Sequence, residues 1–484
     1  MSSAQLTQAP GAQGWLNAGT AAAAIVVVAL LCFVPPSTND FWLQAAVGRL
    51  IWTTGEIPRS ALFPFTEVRD FPFHAHEWLS SLGFYLLEDR LGHETLIFVN
   101  GLLGLALFAL LYRLAHRLTK SFAASLFVAV AALVAANYRF SLRPELFALL
   151  LAALQLNLLT GYRESGRPAY LAACVPLGLL WANLHGSAPV ALAIAAAFAV
   201  GALMERRRAL PYVACLLAMA LAMLVNPYGA SIFRFAWSVE NATFLRSYIY
   251  EWTPSLHGPF VGSRGFWAFI AYVGVIGAAV ATARGRVSAA GALLLVMFGY
   301  LAMTTQRHIA LFAVVSVYPL SVALAQFRSE WDRLRVVQIG LPAVLLTGAC
   351  LLVAYGNLYG GYPYFVPSNR FSLLLVEYLE NESVRGNVLN SYSLGGELVY
   401  RYYPRLRPAI DSRIDIYGES YARYVDALSH DAGLFREFVE RYNVRYVLLP
   451  WQEFDGGIRR MPDLQRDGWH IAFADHRMVL LGRR

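Results

Sequence analysis

The chain has 484 residues, 57% of them hydrophobic and only 14% charged, and its mean hydropathy is +0.47. Soluble globular chains sit near ~45–50% apolar and ~25% charged, so this composition excludes a water-soluble globule as well as a disordered or collagen-like chain. The net charge of +8 comes almost wholly from arginine, Lys120 being the single lysine, and in so apolar a chain it reads as membrane topology rather than nucleic-acid binding.

In chain order, stretches apolar and long enough to cross a hydrocarbon core of ~30 Å lie near 18–34, 95–112, 121–137, 145–160, 169–184, 188–204, 209–225, 265–283, 287–304, 309–326 and 336–355. They predict a mainly α, polytopic bundle of about eleven transmembrane helices. No basic region precedes the first stretch and no small-residue cleavage site follows it, so it reads as a retained helix. Cys32, Cys174, Cys215 and Cys350 all fall in apolar runs, where they serve as small hydrophobes and offer neither a metal cluster nor a disulfide frame.

Alternate short connections carry Arg113, Arg117 and Lys120; Arg163 and Arg167; Arg206, Arg207 and Arg208; Arg284 and Arg286; and Arg328, Arg333 and Arg335. Cations in short loops prefer the cytoplasm, which puts the N-terminus inside and, with an odd helix count, the C-terminal segment outside. The outer side then receives a loop from about 36 to 94, another from about 227 to 264, and a tail from about 357. This divides the chain into a membrane domain, 1–356, and an outer domain, 357–484.

In the first loop, Phe41, Trp42, Ala45, Ala46, Leu50, Ile51 and Trp52 recur at helical spacing, and Trp78, Leu79, Leu82, Phe84, Tyr85 and Leu86 follow a turn region at Pro58, Pro64 and Pro72. Both read as interfacial helices. The tail is richer in charge, and its short apolar runs at 386–390, 408–411, 444–449 and 478–481 alternate with helical patterns near 370–381, 394–403, 419–428 and 432–442. That alternation predicts a small α/β domain.

Ionisable residues cluster at the outer helix ends: Asp40, the first charged residue; His74, His76 and Glu77; Arg139, Arg143 and Glu145; Asn183 and His185; Arg307 and His308. One outward cavity is expected to collect them. An acid there can act as a general base on a hydroxyl, while arginines neutralise a phosphate bidentately, so the implied substrate is an anionic lipid. Plainer readings stand beside these. Asp40 could cap the helix that follows it, and Arg143 could snorkel to the interface. His185 could satisfy backbone at the hairpin with Gly186, Asn226-Pro227-Tyr228-Gly229 reads as a helix stop, and Arg413 reads as a structural ion pair with Asp411 or Asp415.

This arrangement resembles the GT-C superfamily of integral-membrane glycosyltransferases, which includes protein O-mannosyltransferases, aminoarabinose transferases and oligosaccharyltransferases. The resemblance rests on a first helix ending in Asp40, a long first outer loop, a charged second loop with Arg139, Arg143 and Glu145, and a C-terminal outer domain. Asp40-Phe41-Trp42, His76-Glu77-Trp78-Leu79, Arg143-Pro144, Asn183-Leu184-His185-Gly186 and Asn226-Pro227-Tyr228-Gly229 look like a bacterial branch of it. The resemblance implies an inverting transfer of sugar from a polyprenyl-phosphate-linked donor to a hydroxyl of a glycan, lipid or protein, on the periplasmic face of the bacterial inner membrane. It makes Asp40 the base with His76 and Glu77 beside it, and sets Arg139, Arg143 and Arg307 on the phosphate. Glu145, His74, Asn183, His185 and His308 would line the substrate, bounded by Trp42 and Trp78. Many relatives carry a paired acid where Asn39 precedes Asp40 here, which leaves one carboxylate and no acidic metal site. A divalent cation, Mg or Mn, near His74, His76 and Glu77 finds no third ligand by spacing, so no metal ligands are assigned. A transporter or flippase for a lipid-linked saccharide, with polar residues through the midplane, and a non-catalytic component of a polysaccharide-assembly complex are the alternatives.

Overall fold

The computed structural model describes residues 10–34, 39–283, 287–328, 331, 340, 343–350, 371–428, 430–460 and 464–484. Ten apolar helices coincide with the first ten expected spans: α1 (Pro10–Cys32), α4 (Leu96–Thr119), α5 (Phe122–Ala136), α6 (Pro144–Ser165), α7 (Ala169–Leu184), α8 (Pro189–Met204), α9 (Leu210–Ala222), α12 (Arg264–Thr282), α13 (Ala289–Thr304) and α14 (Ile309–Leu324). Counted with their flanking 3₁₀ turns, α4, α5, α6, α12 and α14 give spans of 18 to 27 residues, long and apolar enough to cross a membrane by themselves; the apolar stretches in the other five run 10–17 residues. Most of the eleventh expected span, 336–355, lies outside the described residues, as do the arginines at 284, 286, 333 and 335.

Local chemistry sets the helix ends. Ser121, Ser263 and Ser288 accept hydrogen bonds from the backbone N–H three residues on, at the starts of α5, α12 and α13. Pro144 opens α6, and Gly166 closes it in the left-handed conformation at φ 68°. Helix α14 is apolar on every face and is buried around nearly its whole circumference among α4, α5, α6, α12 and α13, as such a helix must be.

The charges sort to two ends of the bundle. At one end the connections are stitched by Arg117 with Glu164 and by Arg163 with Glu205 at 2.7 Å, while Glu205 also accepts from the Ala289 N–H at 2.9 Å. The other end carries the cavity described below. At that end lie α2 (Asn39–Thr54), which lines the cavity, and α3 (Trp78–Leu91), both helical as expected. Surface helices would keep one face free, but α2 is covered on two sides. It crosses α3 so closely that a Cβ on Gly48 would overlap the Ser81 carbonyl, and its other side packs on the tail helix Gly395–Tyr402.

The tail holds a five-stranded sheet in the order β2 (Leu406–Pro408), β1 (Gly386–Asn390), β3 (Val444–Pro450), β5 (Met478–Arg483), β4 (Trp469–Ala474), with β2, β1 and β3 parallel and β5 antiparallel to both its neighbours. Alternation puts Leu389, Val447, Leu449 and Leu481 on one face under Phe435 and Phe438, and Val388, Leu448 and Leu480 on the other under Leu375 and Leu379. Two details depart from the sequence reading. The run expected at 408–411 pairs only through Pro408. Beyond it the Asn390 amide replaces the ladder, accepting from the Ala409 N–H at 2.9 Å and donating to the Ile410 carbonyl at 2.8 Å. Strand β4 was not anticipated, because as a sheet edge it buries little and reads Trp-His-Ile-Ala-Phe-Ala without clean alternation.

Candidate active site

Asp40 is the second residue of α2, where a carboxylate is favoured by the helix N-terminus. Its side chain is 42% exposed and opens into a cavity of about 200 Å³. The walls come from six parts of the chain: α2, the segment 73–77, the α5–α6 connection, the turn after α7, residues 235–252, and the turn that leads into α14. The tail adds Ser412, Arg413 and Asp415.

In the same cavity, Arg143 sits extended before Pro144, a conformation that proline imposes on its predecessor. Its Nη1 is 3.5 Å from Asp40 Oδ2 and 3.4 Å from Glu251 Oε2, and its buried Nε has no hydrogen-bond partner among the described residues. Arg139 is spent differently. Its Nε donates to Glu145 at 3.0 Å, and its other nitrogens bind Glu145 again and Glu251. Among the described residues Arg307 has no carboxylate at ion-pair distance; its guanidinium lies 4.1 Å over the Trp252 ring. Thus Arg139 is a strut between two acids, whereas Arg143 and Arg307 present cationic surface to the cavity.

A second group surrounds Glu77. Gln44 donates to Glu77 Oε2 at 2.5 Å and in turn accepts from Ser81. His185 Nδ1 accepts from the Ser187 N–H at 3.0 Å and contacts the Ser187 hydroxyl at 2.7 Å, so its neutral ring carries the proton on Nε2, 3.3 Å from Glu77 Oε1. His76 Nδ1 is 2.9 Å from the His74 carbonyl and must donate to it, which leaves its Nε2 as an acceptor 3.7 Å from Glu77. Burial, then the negative charge of Asp40, pushes the Glu77 carboxyl up to about 8. Burial also holds His76 down to about 4 and His185 to about 3, so at neutral pH all three are uncharged.

Of the residues singled out in the sequence, Asp40, His74, His76, Glu77, Arg139, Arg143, Glu145, His185 and Arg307 line this cavity. His308 lines a neighbouring, more apolar cavity of about 320 Å³ that shares His76, Glu77, His185 and Arg307 with the first. The single cavity expected is therefore two adjoining ones. Three residues stand outside both. Trp42 is buried against His93, with ring centroids 4.6 Å apart, and Trp78 Nε1 donates to Asn183 Oδ1 at 2.9 Å. Asn183 donates onward to the Leu179 and Val225 carbonyls, so these three pack helices rather than bound the site. Asn226 closes its turn by donating to the Met223 and Gly229 carbonyls, consistent with a helix stop. Arg413 pairs with buried Asp411 at 2.6 Å and donates to the Ala61 carbonyl at 2.6 Å.

Gln44, Glu251 and Asp415 also line the cavity without having been expected there. Glu251 carried a signal as an acid next to Trp252 in the loop expected at 227–264, and Asp415 as part of the run after a short strand, read as an ion-pair partner of Arg413; Gln44 was silent. No group of three or more His, Cys, Asp or Glu among the described residues is placed to hold a metal ion, and Glu145 and Glu251 are committed to arginines, which do not suit a divalent cation.

No family model matches the chain, and no curated protein matches it. Among solved structures it resembles ArnT from Cupriavidus metallidurans in the apo state, with a TM-score of 0.53 at 14% identity over 97% of this chain and 98% of that one. The same protein bound to undecaprenyl phosphate gives 0.50 at 14%, over the same shares. The oligosaccharyltransferase of Archaeoglobus fulgidus in its apo form gives 0.52 at 13% identity, over 92% of this chain and 70% of that one. At these identities the likeness is one of fold alone: a mainly helical chain rich in apolar helices, with a small sheet in its tail.

Proposed function

We propose that the chain is a membrane glycosyltransferase that moves a sugar from a polyprenyl-phosphate donor to a hydroxyl acceptor on a glycan, lipid or protein. The observation that carries this reading is a half-exposed carboxylate, Asp40, facing a cavity that also holds Arg143 and an Arg307 with no carboxylate at ion-pair distance among the described residues. Asp40 takes the proton of the acceptor hydroxyl. The acceptor oxygen forms its bond to the anomeric carbon as the bond from that carbon to the phosphate oxygen breaks, and the phosphate leaves with the electron pair. One displacement through one base inverts the anomeric centre. Arg143 and Arg307 stabilise the charge that grows on the phosphate, while Arg139 neutralises Glu145 and shares Glu251 with Arg143.

The neighbouring cavity, walled by Phe233, Trp237, Val190 and Leu301, suits the isoprenoid next to the phosphate, with Arg307 common to both. Support for the donor class comes from the fold, one example of which has been solved with undecaprenyl phosphate bound. The arginine-stitched end of the bundle carries Arg117 and Arg163, so positive-inside logic puts it in the cytoplasm and the reaction site on the periplasmic side of a bacterial inner membrane. Gathering of ionisable residues at the bundle ends favours transfer at one face over passage through the middle.

The test is turnover of an undecaprenyl-phosphate sugar by purified protein in lipid nanodiscs. Asp40→Asn is expected to abolish it while the fold survives; turnover near the wild-type rate would remove Asp40 as the base.

A further inference from the structure

Asp40 is held weakly by its own side chain. Its one ion-pair contact among the described residues is Arg143 at 3.5 Å, so its position is set by the backbone of the first turn of α2. The residue before it is held firmly. Asn39 is buried; its Nδ2 donates to the Tyr392 carbonyl at 2.6 Å, and its Oδ1 accepts from the Gly396 N–H at 2.7 Å. Both partners belong to the tail, more than 350 residues away in sequence.

Three features make this contact a built one. The Asn39 amide donates through Nδ2 and accepts through Oδ1, and both capacities are used; an ionised aspartate at 39 would turn an acceptor towards the Tyr392 carbonyl. Gly396 has no room for a side chain, since a Cβ there would overlap the Asn39 carbonyl and meet Asn39 Oδ1 at 2.6 Å. The contact also continues along one stripe of α2. Arg401 stacks on Trp42 at 5.1 Å, and Arg49 lies 5.4 Å from the Tyr400 ring and donates to the Val399 carbonyl at 3.4 Å. Positions 39, 42, 46 and 49 fall on one face of a helix.

We propose that the tail positions the base: Tyr392 and Gly396 clamp Asn39 and thereby set where the Asp40 carboxylate stands in the cavity. This rests on the glycosyl-transfer reading. Asn39 is a positioning residue that acts through the chain rather than on substrate, and its amide explains why this chain carries Asn beside Asp40 instead of a second acid.

The experiment uses full-length protein in nanodiscs, as wild type, Asn39→Ala, Asn39→Asp and Gly396→Ala. A displacement of ~1 Å at a reacting group costs about 10²-fold in rate, so kcat for an undecaprenyl-phosphate sugar is expected to fall by that order while the donor KM stays within about threefold. Hydrogen–deuterium exchange over residues 39–46 is expected to rise in all three variants and is read whether or not turnover occurs. Raised exchange with an inactive wild type would uphold the clamp and sink only the transfer reading. Unchanged exchange, unchanged kcat, or an equal loss of kcat, donor affinity and melting temperature would overturn the clamp.

Discussion

The Arg143 guanidinium stands 3.5 Å from the Asp40 carboxylate and 3.4 Å from Glu251, so one cation is shared between two acids that line the same cavity. Neither contact is a close pair, which leaves Arg143 able to turn towards an incoming phosphate. Replacing Arg143 with Lys keeps the charge but loses the planar fork. Expected is a fall in kcat of about 10²-fold, the usual scale for removing one preorganised donor to a developing charge. Steady-state kinetics of Arg143→Lys and Arg143→Ala check this; equal rates for wild type and Lys would show that charge alone suffices.

Arg307 and Trp252 form the second cationic element, 4.1 Å apart. Arg307→Ala should weaken inhibition by undecaprenyl phosphate, the leaving product, more than tenfold. Trp252→Ala removes only the platform. A cation–π contact in a desolvated site is worth ~1–2 kcal/mol, so about tenfold weaker inhibition is expected. Equilibrium binding of the lipid phosphate to each variant separates the two.

Arg139 should behave as a structural residue. It is 6% exposed and neutralises both Glu145 and Glu251. Arg139→Met strands two carboxylates, and breaking a buried pair from one side typically costs ~3–5 kcal/mol. A large drop in melting temperature is expected, with much of it recovered in the triple variant that also carries Glu145→Gln and Glu251→Gln. A single variant as stable as wild type would show that Arg139 is free to serve substrate.

The pH profile should report Glu77. Its folded value is raised to about 8, so the carboxyl is neutral below that and gains charge above it, next to Asp40. A raised carboxyl destabilises the fold where only the unfolded chain is ionised, so the loss starts above the model-peptide value near 4.5 and is complete as pH passes about 8. Turnover should therefore decline on the alkaline side near pH 8. Glu77→Gln should flatten that limb and should melt higher than wild type at pH 9 but not at pH 4. An unchanged alkaline limb in Glu77→Gln would assign it to another group.

The bilayer makes much of the architecture legible from sequence. Backbone polar groups in hydrocarbon must be satisfied within the segment, so each apolar run near bilayer length has to be a helix, and ten of the expected spans were found as such. The short apolar run Val444–Leu449 marked a strand in the same way. The residue types of the site were also visible, because charges at helix ends in so apolar a chain are conspicuous. Their partners were not. Asp40 meets Arg143 and Arg139 meets Glu251 because α2, the α5–α6 connection and the loop near Glu251 converge at one bundle end. Asn39 meets Gly396 because the tail folds back onto α2. Hydropathy records where a segment lies in depth, and it is silent on which helix stands beside which. By itself, then, the sequence determined depth, helices and the kinds of chemistry present. The tertiary structure alone decided that Arg139 braces, that Arg143 and Arg307 face the cavity, that Trp42, Trp78 and Asn183 only pack, and that the tail reaches the residue beside Asp40, because each depends on contacts between residues distant in the chain.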